Sequence, residues 1–150
     1  MTEHASIFVI ASDGSPQAEA AALHGADLAK RAGAPVLLMH VVPWSDYSFI
    51  NVLEIEERHR IRQAEQEAAQ TQILDPLAEK LKAMGVRVET RVEFGHPARE
   101  VAELAAERGA EMIVAGTRGR SNVASVLLGS FSHGLLQLAS RPVLLVPTAE

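Results

Sequence analysis

Short, nearly all-apolar runs alternate with longer segments whose apolar residues recur every three or four positions, which predicts strands separated by helices. Residues 7–11, 35–42, 112–115 and 142–147 are the runs, and each suits a strand buried on both faces. Residues 86–94 differ. There Val86, Val88, Thr90, Val92 and Phe94 alternate with Arg87, Glu89, Arg91 and Glu93, as in a half-exposed strand at a sheet edge. The first helix is predicted over 17–32, with Ser15 as N-cap, Pro16 as its first residue and Gly33 as its stop. Residues 44–52 show no period and read as a loop. A charged helix over 54–74 carries only Ile55, Ile61 and Ile73 on a narrow apolar face, and that charge reads as solvated surface. Asp75-Pro76 then marks a kink, or a break followed by a second stretch through Leu77, Leu81 and Met84 to Gly85. A further helix over 97–108 faces inward through Val101, Leu104 and Ala105, and the last repeats Phe131, Leu135 and Leu138 at i, i+4 and i+7.

The order is thus β-α-β-α-β-α-β-α-β. It predicts an α/β three-layer sandwich, a five-stranded, mainly parallel sheet with helices on both faces and right-handed crossovers. All 150 residues fit one domain. In such a sheet ligands sit beyond the carboxyl ends of the strands, where strand order reverses.

The stretch from Met112 to Ser132 carries the strongest chemical signal. A buried strand opens into Gly116 and Gly119, nine residues follow, and Gly129 and Ser130 come just where a helical pattern resumes. Glycines let backbone N–H groups approach an anion closely, and a helix N-terminus turns donors and partial positive charge toward it. The plain alternative is that these glycines only shape a turn and a cap. Likewise Asp13-Gly14-Ser15 alone is ordinary turn chemistry, Arg118 and Arg120 suit surface charges, and Ser130 suits an N-cap. His40 reads as a satisfied strand-end histidine. His96 and His133 lack metal-ligand spacing. The joint placement of these features at one sheet edge favours a binding site.

The Gly-x2-Gly-x9-Gly-Ser spacing resembles the nucleotide loop of the universal stress proteins. Val-Ile-Ala-Ser-Asp-Gly-Ser, His-Val-Val-Pro, Gly-His-Pro-Ala-Arg-Glu-Val, Ala-Glu-Met-Ile-Val-Ala-Gly-Thr-Arg-Gly-Arg-Ser and Arg-Pro-Val-Leu-Leu-Val-Pro are similar to successive blocks of that family, over nearly the whole chain. The resemblance implies the adenine nucleotide alpha-hydrolase-like fold and a site for ATP, or ADP or AMP, with Mg2+ held mainly by the phosphates. Asp13 would bond the ribose beside Ser12. Ala11 and Ala115 would line the base, and the main chain of Val41 would read its edge. Gly116, Arg118 and Gly119 would approach ribose and phosphates, while Gly129, Ser130, Phe131 and Ser132 would meet the phosphate tail. Three departures stand out: Ala115 where a larger apolar residue is frequent, Phe131 where a small β-branched one is usual, and His133, unusual just after the two serines. The resemblance also implies a two-fold homodimer through Val143–Val146.

Composition narrows the function classes. A net charge of −5 argues against a nucleic-acid backbone binder, and the absence of cysteine fits a reducing cytoplasm. No apolar run approaches the roughly 20 residues that cross a bilayer, and the polar, acidic start does not resemble a secretory leader. Phosphoanhydride hydrolysis needs a placed water and strong charge neutralisation, yet there is no Gly-x4-Gly-Lys-Ser/Thr loop, no Gly-x-Gly-x-x-Gly fingerprint and no assembled catalytic set. The reading is an ATP-binding regulatory module with at most slow ATP hydrolysis, acting on an unspecified protein partner. Its alternatives are a nucleotide-independent dimeric adaptor and a slow ATPase.

Overall fold

The computed structural model describes residues 6–43, 52–118 and 128–147. In chain order these form β1 (Phe8–Ala11), α1 (Pro16–Ala32), β2 (Val36–Pro43), α2 (Val52–Ala68), a π-helical turn (Ala69–Leu74), α3 (Asp75–Ala83), β3 (Val88–Gly95), α4 (Pro97–Glu107), β4 (Met112–Gly116), α5 (Ser130–Leu138) and β5 (Val143–Val146). The loop expected over 44–52 lies outside the described residues except for Val52, which starts α2. The strands lie in the order β3-β2-β1-β4-β5, and every described pairing is parallel. Strand order therefore reverses between β1 and β4.

Alternate residues of the strands feed two separate cores. Val9, Leu37, Met39 and Ile113 pack with Val101, Leu104, Ala105 and Leu135 beneath α4 and α5. Ile10, Val36, Leu38 and Val114 pack with Ala22, Ala26, Leu77 and Leu81 beneath α1 and α3. Neither face of the central strands meets water, which is why they read as unbroken apolar runs. β3 is the half-exposed edge that its alternation predicts.

Local signals explain most helix ends. Ser15 Oγ accepts the Ala18 N–H at 3.1 Å, and Pro16 occupies the first turn, where its missing N–H costs nothing. Gly33 ends α1 in the left-handed region at φ 71°, its N–H returning to the carbonyl of Lys30. Asp75-Pro76 produces no break. Instead the turn before it widens: the Asp75 N–H reaches back five residues to the Gln70 carbonyl, and α3 follows without interruption. Gln70 Nε2 braces this turn by donating to Asp75 Oδ1 at 2.7 Å and to Thr90 Oγ1 at 3.0 Å. In α5 the expected inner stripe holds only in part. Leu135 is fully buried and Phe131 packs on the same core, but Leu138 is exposed, as is Leu136.

Arg108 donates to both carboxylate oxygens of Glu89, at 3.0 and 3.1 Å, tying the end of α4 to β3. That hydrogen bond holds the Glu89 carboxyl below its ordinary range. A carboxyl lowered in the folded state stabilises above its unfolded pKa, and the gain is lost as pH falls through the lowered value. The pair is half exposed, so the effect is small. Glu89→Gln is expected to cost under about 1 kcal/mol at neutral pH. The difference should begin to shrink as pH falls to about 4, the ordinary carboxylate range, and vanish only below the lowered value, as read from urea midpoints at neutral and at strongly acid pH.

Candidate functional site

The edge where β1 and β4 diverge is built from three loops and one helix start. β1 leaves the sheet at Ser12, whose N–H donates to the Met39 carbonyl at 3.0 Å. Ser12 Oγ accepts the Gly14 N–H at 3.1 Å, and Asp13 Oδ1 accepts the Ser15 N–H at 2.9 Å. With Ser15 capping Ala18, the amides at the start of α1 are largely served by side chains of their own turn.

The start of α5 is different. Its N-cap is Gly129, which has no side chain to offer, and the first helical bond runs from the His133 N–H to the Gly129 carbonyl. The amides of Ser130, Phe131 and Ser132 precede that bond, so helix geometry gives them no acceptor. Ser130 is thus the first helical residue and not the cap. This uncapped end is fixed in place twice. The Gly129 N–H donates to the Thr117 carbonyl at 2.8 Å. Ser132 Oγ, itself buried, donates to the Gly116 carbonyl at 2.7 Å. Ser132 therefore spends its proton on the end of β4 and acts by holding the helix there. The space at Gly116 is bounded by main chain: a Cβ there would stand in ordinary contact, 3.4 Å from the Arg118 carbonyl and 3.5 Å from that of Gln17.

Ala11, Val41 and Ala115 are buried on the same face of the sheet, under α4 and α5. Main-chain direction distinguishes Val41. Phe8 and Ser12 donate to the carbonyls of Pro35 and Met39, whereas Val36 donates to Arg87 on the other side. Odd-numbered residues of β2 thus turn their main chain toward β1, and Val41 lies just past the last pair, Ala11↔Met39.

Ser12 with Asp13, Gly116 with Thr117 and Arg118, and Gly129 with Ser130, Phe131 and Ser132 are thus gathered at one edge. Gly119 and residues 120–127 lie outside the described residues. The sequence reading missed two contacts. One is the Gln17 backbone against Gly116; the other is His40 Nδ1, 2.8 Å from the Ser12 carbonyl. Among the described residues no set of three His, Asp or Glu side chains is placed to hold a metal ion. A hollow of about 390 Å3 lies at the opposite, amino edge, lined by Ile7, Val36, Arg87 and the mutually paired Glu89 and Arg108.

This combination defines an α/β protein with a helix start lacking a side-chain cap at the switch point of a parallel sheet. The model of the universal stress protein family matches residues 6–147, and the chain belongs to that family. It is 34% identical over 143 residues to universal stress protein YxiE of Bacillus subtilis, covering 92% of this chain and 96% of that protein. Among solved structures it is similar to MJ0577, with a TM-score of 0.84 at 23% identity over 99% of both chains. A universal stress protein in complex with cAMP superposes with a TM-score of 0.70 at 24% identity, over 97% of this chain and 98% of that one. Another, from Archaeoglobus fulgidus in complex with dAMP, gives 0.63 at 22%, over 94% and 96%. Among the described residues no helix is long and apolar enough to cross a membrane.

Proposed function

We propose that the edge between β1 and β4 binds an adenine nucleotide, with ATP as the expected ligand, and that binding serves a regulatory role. The observation that carries this reading is the contrast between two helix starts at one edge. Side chains of the turn before α1 serve the amides of Gly14, Ser15 and Ala18 at its start, while α5 begins on an uncapped glycine held against β4 by Ser132. An anionic group therefore has a reason to settle at α5, beside Gly116, Arg118, Gly129, Ser130 and Phe131. The base then lies toward Ala11, Ala115 and the main chain of Val41, and Asp13 bonds the ribose. The cAMP and dAMP complexes of similar proteins support an adenine compound as the ligand. Mg2+ would travel with the phosphates, its remaining ligands being water, because the described side chains offer it no cluster.

The test is direct. Purified protein, denatured and extracted, should release adenine nucleotide, and stripped protein should bind ATP in a calorimeter. Protein that binds no adenine nucleotide by either route would overturn the proposal. Ser132→Ala is expected to lower ATP affinity by about fivefold, as α5 loosens from β4. It should also lower stability by about 0.5–1.5 kcal/mol, the usual net worth of one hydrogen bond, measured by calorimetry and urea unfolding.

We also propose a homodimer through Val143–Val146. β5 is an edge strand paired only with β4 in the described sheet, and Leu136 and Leu138 on the neighbouring α5 stand exposed. Light scattering after size exclusion should return twice the chain mass.

A further inference from the structure

The β1–β2 ladder ends in an unusual way. Its bonds reach the Ser12 N–H, which donates to Met39, and the next in register would run from the Val41 N–H to the Ser12 carbonyl. That carbonyl is instead met by Nδ1 of His40 at 2.8 Å, from the adjacent residue of β2. A carbonyl only accepts, so the ring must carry its proton on Nδ1. We propose that His40 is a positioning residue for the nucleotide site: its Nδ1–H takes the Ser12 carbonyl, stops the ladder one bond short and leaves the Val41 amide for the ligand. The inference rests on the adenine-nucleotide reading above.

Several observations converge on this role. Val36 and Leu38 place the even positions of β2 on the α1 and α3 side, so His40 occupies the face opposite Val41 and stays out of the ligand's way. Ser12 is nearly buried, and its N–H, Oγ and carbonyl each have a named partner, so the loop that presents Asp13 has little freedom left. Without the imidazole, the Ser12 carbonyl has one obvious new donor, the Val41 N–H. The ladder would then extend and consume the group assigned to the base. A merely structural histidine would loosen its surroundings when removed. This one, when removed, should tighten one amide.

The experiment compares wild type with three variants. In Asn the side-chain nitrogen sits where Nδ1 does, in Gln it sits near Nε2, and Leu offers no donor. Wild type should show the neutral His40 ring protonated on Nδ1 in nitrogen-15 spectra. His40→Asn should bind ATP within about twofold of wild type. His40→Gln and His40→Leu should lose about tenfold, and the Val41 amide of His40→Leu should exchange more slowly with solvent than in wild type. The proposal is overturned by an Nε2-protonated ring, by wild-type affinity in His40→Leu, by equal losses in the Asn and Leu variants, or by faster exchange at Val41. A wild type that binds no ATP sinks the nucleotide reading itself and the positioning role with it. A wild type that binds while the variants behave alike sinks only the role of His40.

Discussion

Gly129→Val should cost at least about 100-fold in ATP affinity, or roughly 2.7 kcal/mol, while leaving the far-UV circular dichroism near that of wild type. The separation of the two effects follows from the backbone. Gly129 sits at φ −70° and ψ 167°, an extended conformation that any residue adopts, so a branched side chain imposes no strain there. What it removes is access. The glycine stands immediately before three amides without helical acceptors, and an isopropyl group at that point occupies the approach of an anion. Gly129→Ala, with a single methyl group, should fall between. Isothermal titration calorimetry reads the loss. Unchanged affinity in the Val variant would move the phosphate end elsewhere.

Gly25→Leu should produce the largest loss of stability, about 3 kcal/mol or somewhat more, at the upper end of overpacking costs. Gly25 lies in the middle of α1 on its sheet-facing side. A Cβ there would stand 2.9 Å from Val114 Cγ1 and 3.2 Å from Ile10 Cδ1. Both neighbours are fully buried, and Val114 belongs to a stiff β-branched type, so neither can swing aside. Gly25→Ala decides which effect wins. Helix propensity favours alanine by about 1 kcal/mol, yet overpacking costs about 1–3 kcal/mol, so a net loss near 1 kcal/mol is expected. Urea unfolding with an unchanged slope measures both variants. An Ala variant more stable than wild type would show that α1 can lift off the sheet at little cost.

The two glycines illustrate what a chain discloses before it is folded. Gly129 could be picked out because its surroundings are local: a strand before, a helix after, and fixed spacings between. Gly25 could not, since its reason lies in Val114 and Ile10, on two strands that only the fold brings beneath it. A glycine inside an otherwise helical pattern was the available signal. His40 shows the same limit. Its type and place implied a satisfied histidine at a strand end, but its partner is 28 residues away and depends on β1 lying beside β2. Strand identity was the most legible layer, because burial on both faces leaves nearly unbroken apolar runs at 36–43 and 112–116, whereas 143–146, expected to be buried on both faces, is an edge strand that is only partly buried although its sequence is equally apolar. The stripe of α5 was less so. Phe131 and Leu135 follow the core, while Leu138 faces out because the helix ends there and no described element covers it. The candidate site was legible as a set of loops at one edge. Which helix start there is uncapped was not, since Ser15 and Ser130 look equally fit to cap.

The widened turn before Pro76 has a geometric consequence for the exposed arm of the molecule. One extra residue in a helix advances everything upstream by about 100° around the axis. The facing of α2 is therefore out of phase with the docked α3; Ile55 and Ile61 stand exposed, as does nearly every described residue of α2, while Ile73 packs on the core. Removing a single residue from 69–74 would rotate that arm by roughly a quarter turn and present a different side of it to whatever approaches, leaving the sheet and its loops where they are.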